Sequence, residues 1–364
     1  MKSANQTLVS RQSGFTLVEI MVGLVIGLLA TIIIMQVFSV FEAQKRTTTG
    51  TADAQTNGGI ALYTITRELQ QAGFPLVAGE PNLPNVPDSA LECTTLTFGA
   101  TGITSVAPAV LTDSVVGTGA TDSSSDTITI HYGSSLSGGV PTKIQDQPVG
   151  TLTGTTVPVI NSLGCANNDI AMIINGATCA MTTVSGVTNA TTIEMLDDSA
   201  LVAGAAVDGA KLSCLGTWNE VTYAVNNGNL ERNGTPSVAG VVNLQAQYGI
   251  SANANSNQIT GWVNPTGAWA APTVANRNRI KAIRIAVVAR NAKMEMADVT
   301  TACSSLTASA PTGLCAWAGS ASSPAPAVTL SAPPIGDPNW QRYRYRVFET
   351  IIPLRNVIWA KGTL

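Results

Sequence analysis

Apolar and polar positions are distributed unevenly along this chain. From Ile20 to Phe41 no side chain is charged, and residues 14–41 read GFTLVEIMVGLVIGLLATIIIMQVFSVF. A helix needs about 20 apolar residues to cross a hydrocarbon core, so the run predicts a membrane-spanning helix. The text turns polar at Glu42, yet no proline appears before Pro75. Leu62, Ile65, Leu69 and Ala72 then recur with the 3, 4, 3 spacing of one buried helix face. Gly73 and Pro75 supply the stop. A single helix over 15–72 would extend roughly 87 Å at 1.5 Å per residue. Its first half would be bare and its second half would lie on a globular domain. Gly58–Gly59 is a candidate kink, since helix glycines cost about 1 kcal/mol each relative to alanine.

Beyond Pro75 the period changes. VAGEPNLPNVPDSALEC is loop-like, and strand-like pieces follow between Gly, Ser, Asn and Asp clusters. The spacing predicts strands over 127–132, 170–174, 241–250, 280–289 and 343–354, and a hairpin in which 221–225 and 230–232 flank NNGN. Segments 111–126, 251–278 and 304–338 read as loops or insertions. No repeat stands out, and an insertion within 100–215 is a candidate lobe of its own. The fold class is α+β: a long N-terminal helix packed on a large β-rich head. The organisation is a leader over 1–14, a helix over 15–73 (15–41 in the membrane, 42–73 amphipathic) and a head over 74–364.

One charge is out of place. Glu19 lies at the lip of the apolar run, where insertion costs roughly 2.5 kcal/mol or more near a helix centre. The macrodipole would favour a carboxylate at a helix N terminus by about 0.3–1 kcal/mol, but its neighbours say more. A polar leader with Lys2 and Arg11 and no acid ends at Gly14, and Phe15, Thr16, Leu17, Val18 and Glu19 follow. A secretory signal is cut after an apolar core of about 7–15 residues. Here the small residue precedes a longer run, and the leader's cations hold that end in the cytoplasm. The pattern resembles the class III signal of type IV pilins and pseudopilins. That resemblance implies cleavage by a prepilin peptidase after Gly14, N-methylation of Phe15, and a pairing of Glu19 with the N-terminal amine of a neighbouring subunit during assembly. Many major pilins carry a helix-breaking proline at the position of Gln36; its absence leaves any loosening to Gly23, Gly27 or the Gly50 region.

The later pieces narrow the family. TRELQQAGF, a YG before a variable loop and RIKAIRIAVVAR, and RYRVFETIIPLRN near the end resemble the PilW minor pilins. This implies a low-abundance subunit that helps prime a type IV pilus and sits near its tip. The implied partners are the prepilin peptidase, other minor pilins, the major pilin and a pilus-tip adhesin. The implied location is the inner membrane of a Gram-negative bacterium, single-pass with a periplasmic head, and then the extracellular pilus. Two other readings stand beside it: a J-type minor pseudopilin of a type II secretion system, and a tip-located binding module for surfaces or DNA.

Composition fits export and offers little to catalysis. The formal charge is −3, and loss of Lys2 and Arg11 with the leader makes it two units more negative. Only 11% of residues are charged and no basic run suggests nucleic acid. All six cysteines, Cys93, Cys165, Cys179, Cys214, Cys303 and Cys315, follow the apolar run, so disulfides are expected in an oxidising compartment. Sequence proximity favours Cys165–Cys179 and Cys303–Cys315, leaving Cys93–Cys214, among about 15 possible pairings. No zinc spacing, P-loop, G-x-S-x-G or H-E-x-x-H occurs; no cofactor, metal, small-molecule substrate or enzymatic activity is expected. The single histidine, His131, reads as a satisfied strand residue. Asp113, Asp122 and Asp126 lack EF-hand spacing and read as loop acids. Arg342, Arg344 and Arg346 share a strand face at period two; a charged, aggregation-resistant face is preferred to a grip on acidic partners.

Overall fold

The computed structural model describes residues 14–76, 90–99, 101–103, 105–113, 125–145, 154–199, 201, 208–331 and 336–359. The leader positions 1–13 and Asp122 lie outside the described residues. The chain divides into two compact units, one ending at Gly50 and one beginning at Thr51.

Helix α1 runs from Leu17 to Leu69 as one α-helix, passing through Gly23, Gly27, Gly50, Gly58 and Gly59. The proline-free text and the absence of a breaker at Gln36 explain its continuity. In the first unit its apolar side chains, from Leu17 to Phe41, are exposed. Its mean hydropathy reaches 2.7 in the most apolar window, enough to cross a membrane. In the second unit Ala61, Ile65 and Leu69 are fully buried, each large side chain contributing about 1.5–3 kcal/mol. Helix geometry ends at Leu69, three residues before the predicted end at Ala72, and turns carry the chain to Gly73. Gly73 adopts φ +77° and donates its N–H to the His131 carbonyl at 2.8 Å. The left-handed conformation required there is nearly free only for glycine.

Sixteen strands follow among the described residues: β1 Thr95–Phe98, β2 Ala109–Thr112, β3 Thr127–Gly133, β4 Thr142–Lys143, β5 Thr156–Pro158, β6 Ile170–Asn175, β7 Thr178–Asn189, β8 Thr192–Met195, β9 Lys211–Cys214, β10 Trp218–Asn226, β11 Asn229–Arg232, β12 Thr235–Ala239, β13 Val241–Ser251, β14 Ile259–Val263, β15 Ile280–Arg290 and β16 Tyr345–Pro353. Short helices α2, Val274–Arg277, and α3, Arg355–Trp359, complete the chain. The strands form three sheets. One has the order β4-β9-β6-β7-β8-β5, with β1 parallel to β7; the others run β12-β11-β10-β3-β2 and β14-β13-β15-β16. The predicted hairpin is β10–β11, with Asn226 opposite Asn229 and Asn227 and Gly228 both at positive φ. That is the primed-turn geometry that Asn-Gly favours.

Three cores organise the head. The largest joins α1 to the five-stranded sheet through Leu111, Ile128 and Tyr223, and to the four-stranded sheet through Tyr248, Ile285 and Ile352. The second belongs to the expected insertion. Met172 and Ile174 of β6 face the main core, while Ala171 and Ile173 face the second one. A strand buried on both sides reads as an unbroken apolar run, which is why IAMII shows no alternation. The insertion therefore has its own sheet and core but is not detached. The third core covers the far face of the four-stranded sheet, where Val242, Ala286 and Val288 meet Leu314, Trp317 and Leu330. The described residues of the expected loop 304–338 thus form a packed cover. The expected loop 251–278 contains β14 and α2, a further correction.

The cysteine pairing differs from the one favoured by proximity. Cys303–Cys315 closes the short loop, but the other bonds are Cys93–Cys179 and Cys165–Cys214. Sheet order is the reason. Cys93 lies two residues before the start of β1, and β1 pairs with β7 such that Leu96 lies opposite Cys179. Cys165 precedes β6, whose Ala171 lies opposite Cys214 on β9. Cys165 and Cys179 stand at the two ends of the β6–β7 hairpin, joined to different neighbours.

Candidate functional site

The first unit offers its chemistry at the start of α1. Thr16 precedes the helix and Glu19 lies in its first turn. The Thr16 N–H and hydroxyl both donate to Glu19 Oε2 at 3.1 Å, and the Glu19 N–H donates to Thr16 Oγ1 at 3.3 Å. This is a capping box, in which Thr and Glu three residues apart each satisfy a backbone donor left over by the helix. The signature T-x-x-E is legible in the sequence, but beside an uncharged run the lone charge of Glu19 points to a partner subunit rather than to Thr16. The Glu19 side chain is exposed, and only Oε2 is engaged among the described residues. The carboxylate therefore fixes the helix start with one oxygen and leaves Oε1 open. Gly14 and Phe15 precede the helix and are exposed, Phe15 to 83%.

In the second unit, α1 is held to the head by a polar lock that sequence reasoning missed. Glu68 is buried and accepts from the Arg232 Nε and Nη2 atoms at 3.1 and 2.8 Å through Oε1. Its Oε2 accepts from the Tyr223 hydroxyl at 2.9 Å. Burial, and then the hydrogen bond to Glu68, hold the Tyr223 hydroxyl well above its ordinary pKa. Bonding to Glu68 likewise raises Arg232. The lock ties α1 to β10 and β11. Each member looked ordinary in sequence, because 164 residues separate Glu68 from Arg232.

The remaining candidates fall into structural roles. His131 is buried; Nδ1 lies 2.6 Å from the Ala107 carbonyl and Nε2 lies 3.3 Å from Glu220 Oε2. Asp126 is buried and accepts from the Ala246 N–H at 2.6 Å. Arg342 and Arg344 meet this chain's own acids, Asp298 at 3.6 Å and Glu295 at 3.0 Å, and only Arg346 of the three lies within β16. Among the described residues no cluster of His, Cys, Asp or Glu is arranged to hold a metal.

Comparison with known families finds two matches. Residues 217–356 match the family of Type IV Pilus-assembly protein W, and residues 9–35 match the Prokaryotic N-terminal methylation motif. The first match takes in β10 to β16; the second spans Gly14, Phe15, Thr16 and Glu19. The seven-stranded sheet, between Thr95 and Cys214, lies outside both. No curated protein and no solved structure matches the chain.

Proposed function

The two family matches support a PilW-type minor pilin of the type IV pilus, and from that premise we propose how this chain is made and used. A prepilin peptidase cuts between Gly14 and Phe15, and the Phe15 amine is methylated. The protein waits in the inner membrane on its apolar helix, with the head in the periplasm. It then joins other minor pilins and the major pilin in a complex that starts the filament and remains near its tip, beside an adhesin.

The observation that carries this reading is the half-used carboxylate of Glu19. With Oε2 committed to Thr16, Oε1 is available to an ammonium group. Inside a bundle of helices an unpaired carboxylate costs several kcal/mol, and a partner cation offsets much of that cost. The best supply is the Phe15 amine of another subunit, because removal of the leader takes Lys2 and Arg11 away.

N-terminal mass spectrometry of protein from piliated cells tests the proposal. A mature chain beginning with methylated Phe15 is expected. An intact leader, or a cut beyond Phe41, overturns it. Gly14→Arg should leave the precursor uncut in the membrane.

A further inference from the structure

The other free edge strands of the three sheets are blunted. Strand β12 contains Pro236 and its pairing with β11 is bulged. Strand β14 has five residues and a bulged pairing with β13. Strand β5 has three residues and ends at Pro158; β4 has two, and β1 and β2 have four each. Such devices keep exposed edges from pairing with other chains. Strand β16 differs. It has nine residues, it lies at the end of its sheet, and its register against β15 runs from Arg290–Tyr345 to Ala282–Pro353 without a shift.

The ladder fixes which groups face outward. Leu354 donates to the Lys281 carbonyl and Asn291 donates to the Arg344 carbonyl, both at 2.9 Å. Those residues are direct opposites in the register, so even-numbered residues bond to β15 and odd-numbered ones point away. The N–H and C=O groups of Val347, Glu349 and Ile351 therefore line an open edge, with no partner among the described residues. Upstream the edge is closed, because Thr300 Oγ1 donates to the Tyr343 carbonyl at 2.6 Å.

We propose that β16 accepts an extended strand from another protein, whose side chains beside Val347, Glu349 and Ile351 are apolar, basic and apolar. A row of free backbone donors and acceptors selects a strand as occupant. The side chains set its chemistry. Val347 packs on the third core, Ile351 is 51% exposed, and Glu349, held at 3.2 Å by Arg284, is the only charge on that face of β16. A cross-strand base opposite Glu349 is favourable and an acid is not. A second copy of β16 is a poor occupant. Paired through the same edge, it presents Tyr345, Val347, Glu349 and Ile351 on that face, without a base. The inference rests on the sheet edge and not on the role given to Glu19.

Site-specific photocrosslinking tests it. The probe is p-benzoylphenylalanine placed singly at Val347, at Ile351 and, as a control, at Ser237 on β12, in full-length protein in its own cells. Positions 347 and 351 should capture one segment of one other protein, at sites offset in step with a strand and carrying the apolar–basic–apolar pattern; position 237 should not. Val347→Pro removes an outward N–H and leaves the β15 ladder intact, so it should abolish the adduct from position 351 while the three disulfides stay formed. If that variant fails to form them, Glu349→Lys serves instead and should also abolish the adduct. No adduct, adducts only to lipid or to a second copy, or a captured segment without a base opposite Glu349 overturns the proposal.

Discussion

The ring of Phe348 on β16 occupies the space into which a side chain at position 58 of α1 would project. A Cβ built on Gly58 falls within contact of the ring atoms Cε2 and Cδ2 and lies 3.1 Å from the Ala289 Cβ. Gly58 is therefore a notch that lets the helix settle onto β15 and β16. Its neighbour Gly59 has nothing within 4 Å of such a Cβ.

The two glycines should respond oppositely to alanine. At Gly59 the substitution should stabilise by roughly 0.5–1 kcal/mol through helix propensity. At Gly58 the same gain is outweighed by overpacking, for a net loss of about 1–3 kcal/mol. Thermal unfolding of the two full-length variants in detergent measures the difference; equal gains would mean that the Phe348 contact does not constrain the helix.

Breaking the polar lock should be costly in a particular order. Glu68→Ala leaves the buried Tyr223 hydroxyl and the Arg232 guanidinium without their acceptor and should cost about 2–4 kcal/mol, reduced from a fully buried pair because the Arg232 side chain is 40% exposed. Tyr223→Phe should cost about 1 kcal/mol. The double variant should lose less than the sum. Strict additivity in denaturant unfolding would show that the two side chains are not coupled.

Non-reducing peptide mapping should recover Cys93–Cys179, Cys165–Cys214 and Cys303–Cys315. Loop length ranks their effects. By chain entropy, removing the bond that spans 86 residues should cost about 4–5 kcal/mol, and removing the one that spans 12 about 3 kcal/mol. Recovery of Cys165–Cys179 would contradict the sheet order itself.

What the sequence revealed, and what it hid, follows from the range of each cause. Strands β3, β6 and β15 were legible because their residues alternate or run apolar within a few positions. Strands β7 to β9 were not: Thr, Ser and Gly fill the outer positions of β7 in text that resembles the surrounding loops, and β8 and β9, with four residues each, are too short to show a period. Gly58 read locally as a weak point in a helix; its use depends on Phe348, far along the chain. Disulfide pairing was hidden for the same reason, since strand order is a property of the sheet. At the helix start the signals were local. Gly14, Phe15 and Glu19 stood out, and the Thr16–Glu19 capping box was present in the letters but unread.

We propose that the charge on Glu19, and not only its cap, is used in assembly. Glu19→Gln separates the two, since glutamine completes a capping box as glutamate does but cannot pair with an ammonium. The measurement is the number of pili per cell, counted by electron microscopy, in a deletion strain complemented with Glu19→Gln at wild-type expression. A processed, folded protein and a sharp loss of pili are expected. Wild-type pilus numbers would contradict it and leave Glu19 as a helix cap.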